Sequence, residues 1–377
     1  MYPTLYDAIK DIFGIEIPLF KIVMMFGFFV ALGFLAANWA MTVELKRREK
    51  NGEISAFEKP ITAPNVVWEY VSNLLIGFLF GFKLIYMAFN FSDISGNPQA
   101  FLLSSEGSWL WGAVFALAFV AYKYYQLQNT PEIAPGATET FHPYMMMGNI
   151  TLIAAASGFA GAKLFHHLEH FSELVKDPMV LFRDPFSGLT FFGGLIAGGA
   201  GVLWYAAKHG VKWRTMLDVG GPAMMLAYGV GRMGCHTSGD GDWGVENLSP
   251  KPDWLSFLPD WAWAYSYPNN VHGIILENPV WPTPMYEVIM AFIIFGILWS
   301  IRKRPFPAGV LFSIYLIFAG IERFVIEKIR VNPKLEFLGL HFSQAELISF
   351  TFMLLGTLGI IWFYNQQKKS TPLEPTS

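Results

Sequence analysis

About nine stretches of mainly apolar residues recur along the 377-residue chain, each near the twenty residues that a helix needs to cross a bilayer. The chain is 53% hydrophobic and only 15% charged, with a mean hydropathy of +0.38, which excludes a water-soluble globule with an ordinary charged surface. The sequence therefore predicts an all-α integral membrane protein of about nine transmembrane helices with a small exoplasmic (periplasmic) head. The predicted spans are roughly 17–43, 66–91, 107–125, 145–169, 189–207, 219–235, 283–302, 307–327 and 344–364.

Lysine and arginine are distributed unevenly between the predicted loops. If the 44–60 loop is cytoplasmic, that side carries about twice as many of them as the other side, which places the N-terminus outside and the C-terminus inside. Residues 1–16 are then predicted to form an interfacial helix, 17–365 the transmembrane domain, 236–282 the head and 366–377 a disordered tail.

The predicted helix pair at 66–144 resembles the pair at 145–207. Gly81-Phe-Lys-Leu in the first pair corresponds to Gly161-Ala-Lys-Leu in the second. A duplication and a chance similarity between aromatic membrane helices both remain open.

Charge and cysteine content exclude several other classes of protein. A net charge of −3 without a basic patch gives no electrostatic footprint for a nucleic acid. The single cysteine, Cys235, excludes a disulfide framework and a multi-cysteine metal site. The histidines show no spacing with carboxylates that would compel a metal site, so we predict no metal and no cofactor.

Residues 231–244 place an arginine at the end of an apolar helix, followed by a glycine-rich turn. Arg232 stays protonated and is costly at membrane depth, so it needs a fixed anionic partner, and in so apolar a chain we predict a lipid phosphate. Asp240 and Asp242 either lie in a solvated turn or orient Arg232 or a bound headgroup hydroxyl.

A second group of charges lies on the eighth predicted span. Arg323, Glu327 and Arg330 are spaced i, i+4, i+7 and therefore share one helical face, with the glutamate placed to hold both arginines. They form either a structural ladder of ion pairs or an anion site in which Arg323 is deepest.

Three further features have two interpretations each. Lys163 lies on a helix face of small residues, where either snorkelling or ligand contact explains it. The glycine run that contains Gly193 and Gly194 favours close packing of backbones or of a lipid tail over a nucleotide loop. Helix capping would explain Glu287, whereas Tyr286 beside it suits a contact with a headgroup.

Four motifs together resemble those of the prolipoprotein diacylglyceryl transferase family, integral membrane enzymes of bacterial lipoprotein maturation. The resemblance covers roughly 17–45 and 145–365, which leaves 66–144 as a helix pair beyond those usual in that family. In chain order the motifs are Phe191-Phe-Gly-Gly-Leu-Ile, Gly231-Arg-Met-Gly with the later Gly-Asp-Trp-Gly244, Pro282-Thr-Pro-Met-Tyr-Glu287 and Arg323-Phe-Val-Ile-Glu-Lys-Ile-Arg330.

The resemblance implies transfer of a diacylglyceryl group from phosphatidylglycerol to the lipobox cysteine of a prelipoprotein signal peptide, in the bacterial inner membrane and without a cofactor. It assigns Arg232 to the lipid headgroup and Arg323 to the phosphate or the incoming thiol, with Glu327 and Arg330 supporting them. The other expected substrate-binding residues are Lys163, Gly193, Gly194, Asp240, Asp242, Gly244, Tyr286 and Glu287.

The chain departs from the family pattern at three positions. It has Phe192 where the family commonly has histidine, Cys235 where it has asparagine and Phe26 where it has tyrosine. Because phenylalanine cannot accept a proton, another group must act as general base, and the candidates are His236, which leads, His166 and His167. An inactive relative that binds lipid or lipoprotein, and a transporter of an anionic solute, remain as alternatives.

Overall fold

In a computed structural model the chain is mainly helical. The structure describes residues 1–61, 66–94, 101, 104–129, 137–176, 188, 190–331, 334–337 and 340–370. The principal helices are α1 Leu5–Phe13, α2 Met25–Lys50, α3 Val66–Leu79, α4 Trp109–Gln128, α5 Met147–Glu169, α6 Phe191–Lys208, α7 Trp213–Ser238, α8 Thr283–Ile301, α9 Val310–Glu327 and α10 Gln344–Ser370. Two short antiparallel sheets, absent from the all-α prediction, pair β1 Phe57–Pro60 with β2 Thr138–Phe141 and β3 Lys334–Phe337 with β4 Leu340–Ser343.

Five helices in the described part of the chain are long and apolar enough to cross a membrane. The prediction of a mostly helical, multi-pass membrane protein is therefore confirmed. These five helical segments are Met25–Lys50, Val66–Phe89, Pro143–Glu169, Thr283–Ile301 and Gln344–Lys369. The other four predicted spans coincide with α4, α6, α7 and α9.

The first span begins later than predicted. A 3-10 turn at Pro18–Ile22 precedes an extended segment in which the Val23 carbonyl accepts from the Leu5 N–H at 2.8 Å. The Met25 N–H in turn donates to the Pro3 carbonyl at 2.9 Å. These hydrogen bonds hold the backbone outside helical geometry, so α2 starts only at Met25.

The described residues divide into two compact units, one formed by Met1, 26–56 and 142–377 and the other by 2–25 and 57–141. In the second unit α3 packs against α4 and continues through a π-helical stretch, Phe80–Ile85. The ammonium group of Lys83, within that stretch, is hydrogen-bonded to backbone carbonyls of the segment before α4. It donates to the carbonyl oxygens of Phe101, Ser104 and Glu106 at 2.8, 2.6 and 2.8 Å.

The α3–α4 and α5–α6 pairs share a mode of packing. A Cβ at Gly81 would overlap the Trp111 carbonyl, and a Cβ at Gly161 would lie 2.5 Å from the Gly193 carbonyl oxygen. The glycines therefore bring the backbones of each pair into contact, and the packing interpretation of the Gly193 run is confirmed.

The two pairs also share a hydrogen bond that joins their helices. The Ser108 N–H donates to the Phe82 carbonyl at 3.0 Å, and the Thr190 N–H donates to the Ala162 carbonyl at 3.1 Å. In each pair the donor is the N-cap residue of the second helix, and the duplication of the helix pair stays a prediction.

The larger unit carries a buried carboxylate where α2 approaches the end of α8. The Glu44 side chain is 1% exposed and pairs with Arg47 at 2.6 Å, Arg48 at 2.9 Å and Arg302 at 3.2 Å. These ion pairs fix the C-terminal ends of α2 and α8 to each other. The site described next lies near the opposite end of α8.

Candidate active site

A second buried carboxylate, Glu287, lies near the start of α8 and is contacted by three guanidinium groups. Its side chain is fully buried, with Arg232 Nε at 3.0 Å, Arg330 Nη1 at 3.2 Å and Arg323 Nη1 at 3.7 Å. Arg232 lies on α7, Arg323 on α9 and Arg330 just beyond α9. The arginines of two separate motifs therefore converge on one side chain, and the capping interpretation of Glu287 is wrong.

Asp242 is a second shared carboxylate, supplied by the turn that follows α7. It pairs with Arg232 and with Arg330, whose Nη2 lies 2.7 Å from Oδ1. Burial favours a higher pKa for Asp242, but the charges of Arg232 and Arg330 outweigh it and hold the pKa below its usual value. Asp242 is therefore ionised at neutral pH and pairs with both arginines, while its side chain remains 37% exposed.

Asp240 shapes the same turn. Its carboxylate accepts from the Asp242 N–H at 3.3 Å, and its backbone carbonyl lies 3.0 Å from His272 Nε2. Asp240 thus positions Asp242, which in turn holds the arginines.

Arg323 is held more loosely than Arg232 and Arg330. Its contacts with Glu287 and Glu327 are 3.7 and 3.3 Å, and its side chain is 28% exposed, against 15% for Arg232. The Arg323–Glu327 part of the predicted ladder is present, while Arg330 extends to Glu287 and Asp242 instead. Arg323 is consequently the most exposed of the three guanidinium groups.

Comparison with known proteins identifies the family. A family model described as prolipoprotein diacylglyceryl transferase matches residues 135–362, more than half of the chain. This chain belongs to the prolipoprotein diacylglyceryl transferase family.

Curated relatives named phosphatidylglycerol-prolipoprotein diacylglyceryl transferase agree with that family. The Aeromonas hydrophila protein is 30% identical over 208 residues, which cover 54% of this chain and 68% of the relative. The Vibrio atlanticus protein is 28% identical over 211 residues, covering 55% of this chain and 70% of the relative. The Clostridium tetani protein is 28% identical over 187 residues, covering 49% and 69%.

The three positions of this diacylglyceryl transferase that depart from the family pattern lie in different surroundings. Phe192 lies in the first turn of α6 with its ring 5.4 Å from that of Phe191. Phe26 contacts α7, where a Cβ at Gly234 would lie 3.3 Å from Phe26 Cα. Cys235 is buried, and its sulfur lies 3.7 Å from Arg232 Nη1, so it packs beside the arginine cluster as expected of a small side chain.

Two residues of the cluster were missed at the sequence level. The Tyr228 hydroxyl donates to Glu322 Oε1 at 3.2 Å, and the Tyr228 ring centroid lies 5.2 Å from Arg232 Cζ. Glu322 is only 4% exposed. Tyr228 precedes Arg232 by one helical turn and Glu322 directly precedes Arg323, so the helical period and a charge at membrane depth would have identified them.

The histidine that leads as candidate base, His236, lies in an aromatic cluster of the head. Its Nδ1 is 3.3 Å from the Tyr267 hydroxyl, and its ring centroid is 5.8 Å from that of Trp261 and 6.2 Å from that of Tyr265. Tyr267 is fully buried, and burial raises the pKa of its phenol, so that group stays protonated.

Other predicted binding residues hold the framework. The Tyr286 hydroxyl donates to the Ala262 carbonyl at 2.8 Å and so anchors the head to α8. Lys163, which is buried, belongs with Gly193 and Gly194 to the α5–α6 pair, whereas the arginine cluster is carried by α7, α8 and the region of α9.

Gly244 packs the turn that carries Asp242 closely against the start of α8 and the residues that follow α9. Its N–H donates to the Trp281 carbonyl at 2.9 Å, and a Cβ there would overlap the Ile329 carbonyl and lie 2.9 Å from Thr283 Cγ2. We expect Gly244→Ala to destabilise the protein by about 1–3 kcal/mol because the backbone must shift. Thermal unfolding in detergent measures this.

Gly296→Ala is the matched control for that substitution. Gly296 lies inside α8, and no heavy atom outside its local helix lies within 4 Å of a Cβ built there. Alanine is the better helix former by about 0.5–1 kcal/mol, so this variant should be no less stable than the wild type. Equal melting temperatures for both variants would contradict the packing role of Gly244.

Proposed function

We propose that this protein transfers the diacylglyceryl group of phosphatidylglycerol to the lipobox cysteine thiol of a prelipoprotein, forming a thioether and releasing glycerol phosphate. The observation that carries the proposal is the convergence of Arg232, Arg323 and Arg330 on buried Glu287, with Arg323 partly accessible. The names of the curated relatives support the same reaction.

In this mechanism the thiolate sulfur attacks the glyceryl carbon that bears the phosphate. The carbon–oxygen bond breaks and its electron pair passes to the phosphate oxygen, where negative charge develops. A guanidinium group already fixed at that position stabilises the charge without reorganising. We assign this role to Arg323 and headgroup binding to Arg232, with Glu287, Glu327 and Arg330 holding both arginines in place.

We further propose that about nine helices cross the bacterial inner membrane, with the N-terminus and the 236–282 head outside and the C-terminus inside. The Arg47, Arg48 and Arg302 cluster would then be cytoplasmic, as the positive-inside rule favours. The opposite end of α8, which carries Glu287, faces the outer leaflet and can receive a phospholipid headgroup.

Purified protein in phosphatidylglycerol proteoliposomes tests the proposal. A synthetic lipobox peptide should gain the mass of one diacylglyceryl group, and a peptide with serine in place of the lipobox cysteine should gain none. Folded protein that binds lipid or peptide and gives no product would support the inactive relative instead. Uptake of an anionic solute without peptide modification would support the transporter.

The role of His236 as general base is tested by His236→Ala. If this imidazole accepts the thiol proton, the variant should react about 10²- to 10⁴-fold more slowly, with an altered dependence on pH. The rate of peptide modification across a pH series measures both effects. A slower reaction with the pH profile of the wild type would assign His236 to packing against Tyr267 and place the base elsewhere.

A further inference from the structure

Two histidines and a glutamate come together at the C-terminal end of α5. The ligand atoms that His166, Glu169 and His170 offer all lie within 4.8 Å of one another, and the three residues are half-buried to exposed. This cluster was not singled out from the sequence, because no histidine–carboxylate spacing that would compel a metal site was expected. Spacings of three and four residues place all three side chains on one helical face.

The set suits a borderline divalent cation. Imidazole nitrogen and carboxylate oxygen bind Zn²⁺ at about 2.0–2.2 Å, and histidines separated by four residues on a helix form a recognised chelating pair. Hard cations such as Mg²⁺ prefer oxygen ligands, so two imidazoles favour a transition metal.

A hydrogen bond to the backbone orients the His170 ring for binding a metal ion. His170 Nδ1 lies 3.0 Å from the His166 carbonyl oxygen, which also accepts the His170 backbone N–H at 3.1 Å. When Nδ1 carries the proton and donates it to that carbonyl, the lone pair of the ring lies on Nε2. Metal-binding histidines are commonly fixed by such a hydrogen bond to a backbone carbonyl.

Two further features favour a cation at this position. The negative end of the α5 dipole lies at its last turn, where positive charge is stabilised. The His166 ring packs against the backbone of Gly188, a residue with φ of +61°, so closely that a Cβ there would overlap the ring. His166 is thereby held in place by the segment that leads into α6.

Cys235, Asp240 and Asp242 form a second set of possible ligands, but positively charged groups lie beside this set. Asp242 already pairs with Arg232 and Arg330, whose charges repel a cation. Among the described residues, neither the ligands of the α5 cluster nor the hydrogen-bond partner of His170 Nδ1, the His166 carbonyl, is positively charged.

We propose that His166, Glu169 and His170 form a binding site for one divalent transition metal ion, for which Zn²⁺ is the probe. The bound ion would cross-link the side chains of the last turn of α5, beside the Gly188 backbone against which the His166 ring packs. The metal takes no part in the transfer reaction.

The test uses the full-length protein in detergent, carrying no histidine tag and stripped with a chelator. Calorimetric titration with ZnCl₂ should show one site per chain, and saturating Zn²⁺ should raise the melting temperature because the ion binds only the folded site. His170→Ala and Glu169→Gln should each weaken binding by about tenfold or more, since each removes one ligand.

His209→Ala is the matched control. His209 also ends a helix, α6, and its Nδ1 lies 2.8 Å from the carbonyl of the residue one turn earlier, Tyr205, but it is outside the three-ligand set. This variant should bind Zn²⁺ like the wild type. Cu²⁺ substitution should in addition show two coupled nitrogen nuclei by electron paramagnetic resonance in the wild type and one in His170→Ala.

Failure of the wild type to bind Zn²⁺ would overturn the proposal, and so would equal binding by His170→Ala and the wild type. The titration needs neither lipid nor peptide, so its outcome is independent of the transferase assay. His170→Ala should also retain peptide modification in metal-free buffer.

Discussion

Replacing Arg323 with alanine is expected to abolish most of the transfer of diacylglycerol to a lipobox peptide while leaving the protein folded. Removal of one fixed donor to a developing negative charge costs about 10²- to 10³-fold in rate. The protein should tolerate the change because Arg323 is 28% exposed and makes long contacts with Glu287 and Glu327. Initial rates by mass spectrometry, together with melting temperature, measure the two effects separately.

Two variants sharpen this prediction. Arg323→Lys keeps a positive charge but loses the planar fork that matches a phosphate, so its rate should lie between those of the wild type and Arg323→Ala. Arg214→Ala removes a guanidinium that stacks on Trp362, with its Cζ 4.7 Å from the ring centroid, and should leave the rate unchanged. Full activity in a folded Arg323→Ala would remove Arg323 from the proposed site.

Glu287→Ala is expected to cause the largest loss of stability, about 3–5 kcal/mol, because it leaves arginines buried without their shared partner. Glu287 is fully buried and lies within 4 Å of Arg232, Arg323 and Arg330. Activity should be lost as well, since the arginines would no longer be fixed. The free energy of unfolding in detergent and the yield of monodisperse protein are the measurements.

Two further variants interpret this experiment: Glu287→Gln separates the effect of charge from that of side-chain volume, and Glu246→Ala is the control for removal of an exposed carboxylate. Glutamine keeps the volume and one acceptor oxygen, so Glu287→Gln should lose less stability than Glu287→Ala. Glu246 is an exposed carboxylate of the head whose hydrogen bond, from Asn278, is 3.3 Å long, and its removal should change stability by less than about 0.5 kcal/mol. A Glu287→Ala protein as stable as Glu246→Ala would show that the cluster is not held by this carboxylate.

Helix positions were predictable because apolar runs and the helical period are local properties. The same locality explains why the Arg323–Glu327 pair, one turn apart, was foreseen and is present at 3.3 Å. The late start of α2 was not foreseen, because hydrogen bonds to residues 3–5, distant in sequence, hold the backbone extended at Val23.

The central position of Glu287 depends on tertiary structure, which no local pattern reveals. Its hydrogen bond with Arg330 spans 43 residues of sequence, and that between Tyr228 and Glu322 spans 94. The histidine and glutamate set on α5 is a different case. Its spacing of three and four residues along one helix is a local property of the sequence.

Three carboxylates, those of Asp242, Glu287 and Glu327, lie against the three arginines of the cluster. In the reaction that we propose, a dianionic product would leave this centre, and the arginines would then return to their ion pairs with these carboxylates. Built-in competition of this kind limits how tightly any phosphate is held. In the proposed reaction it would favour rapid release of the product.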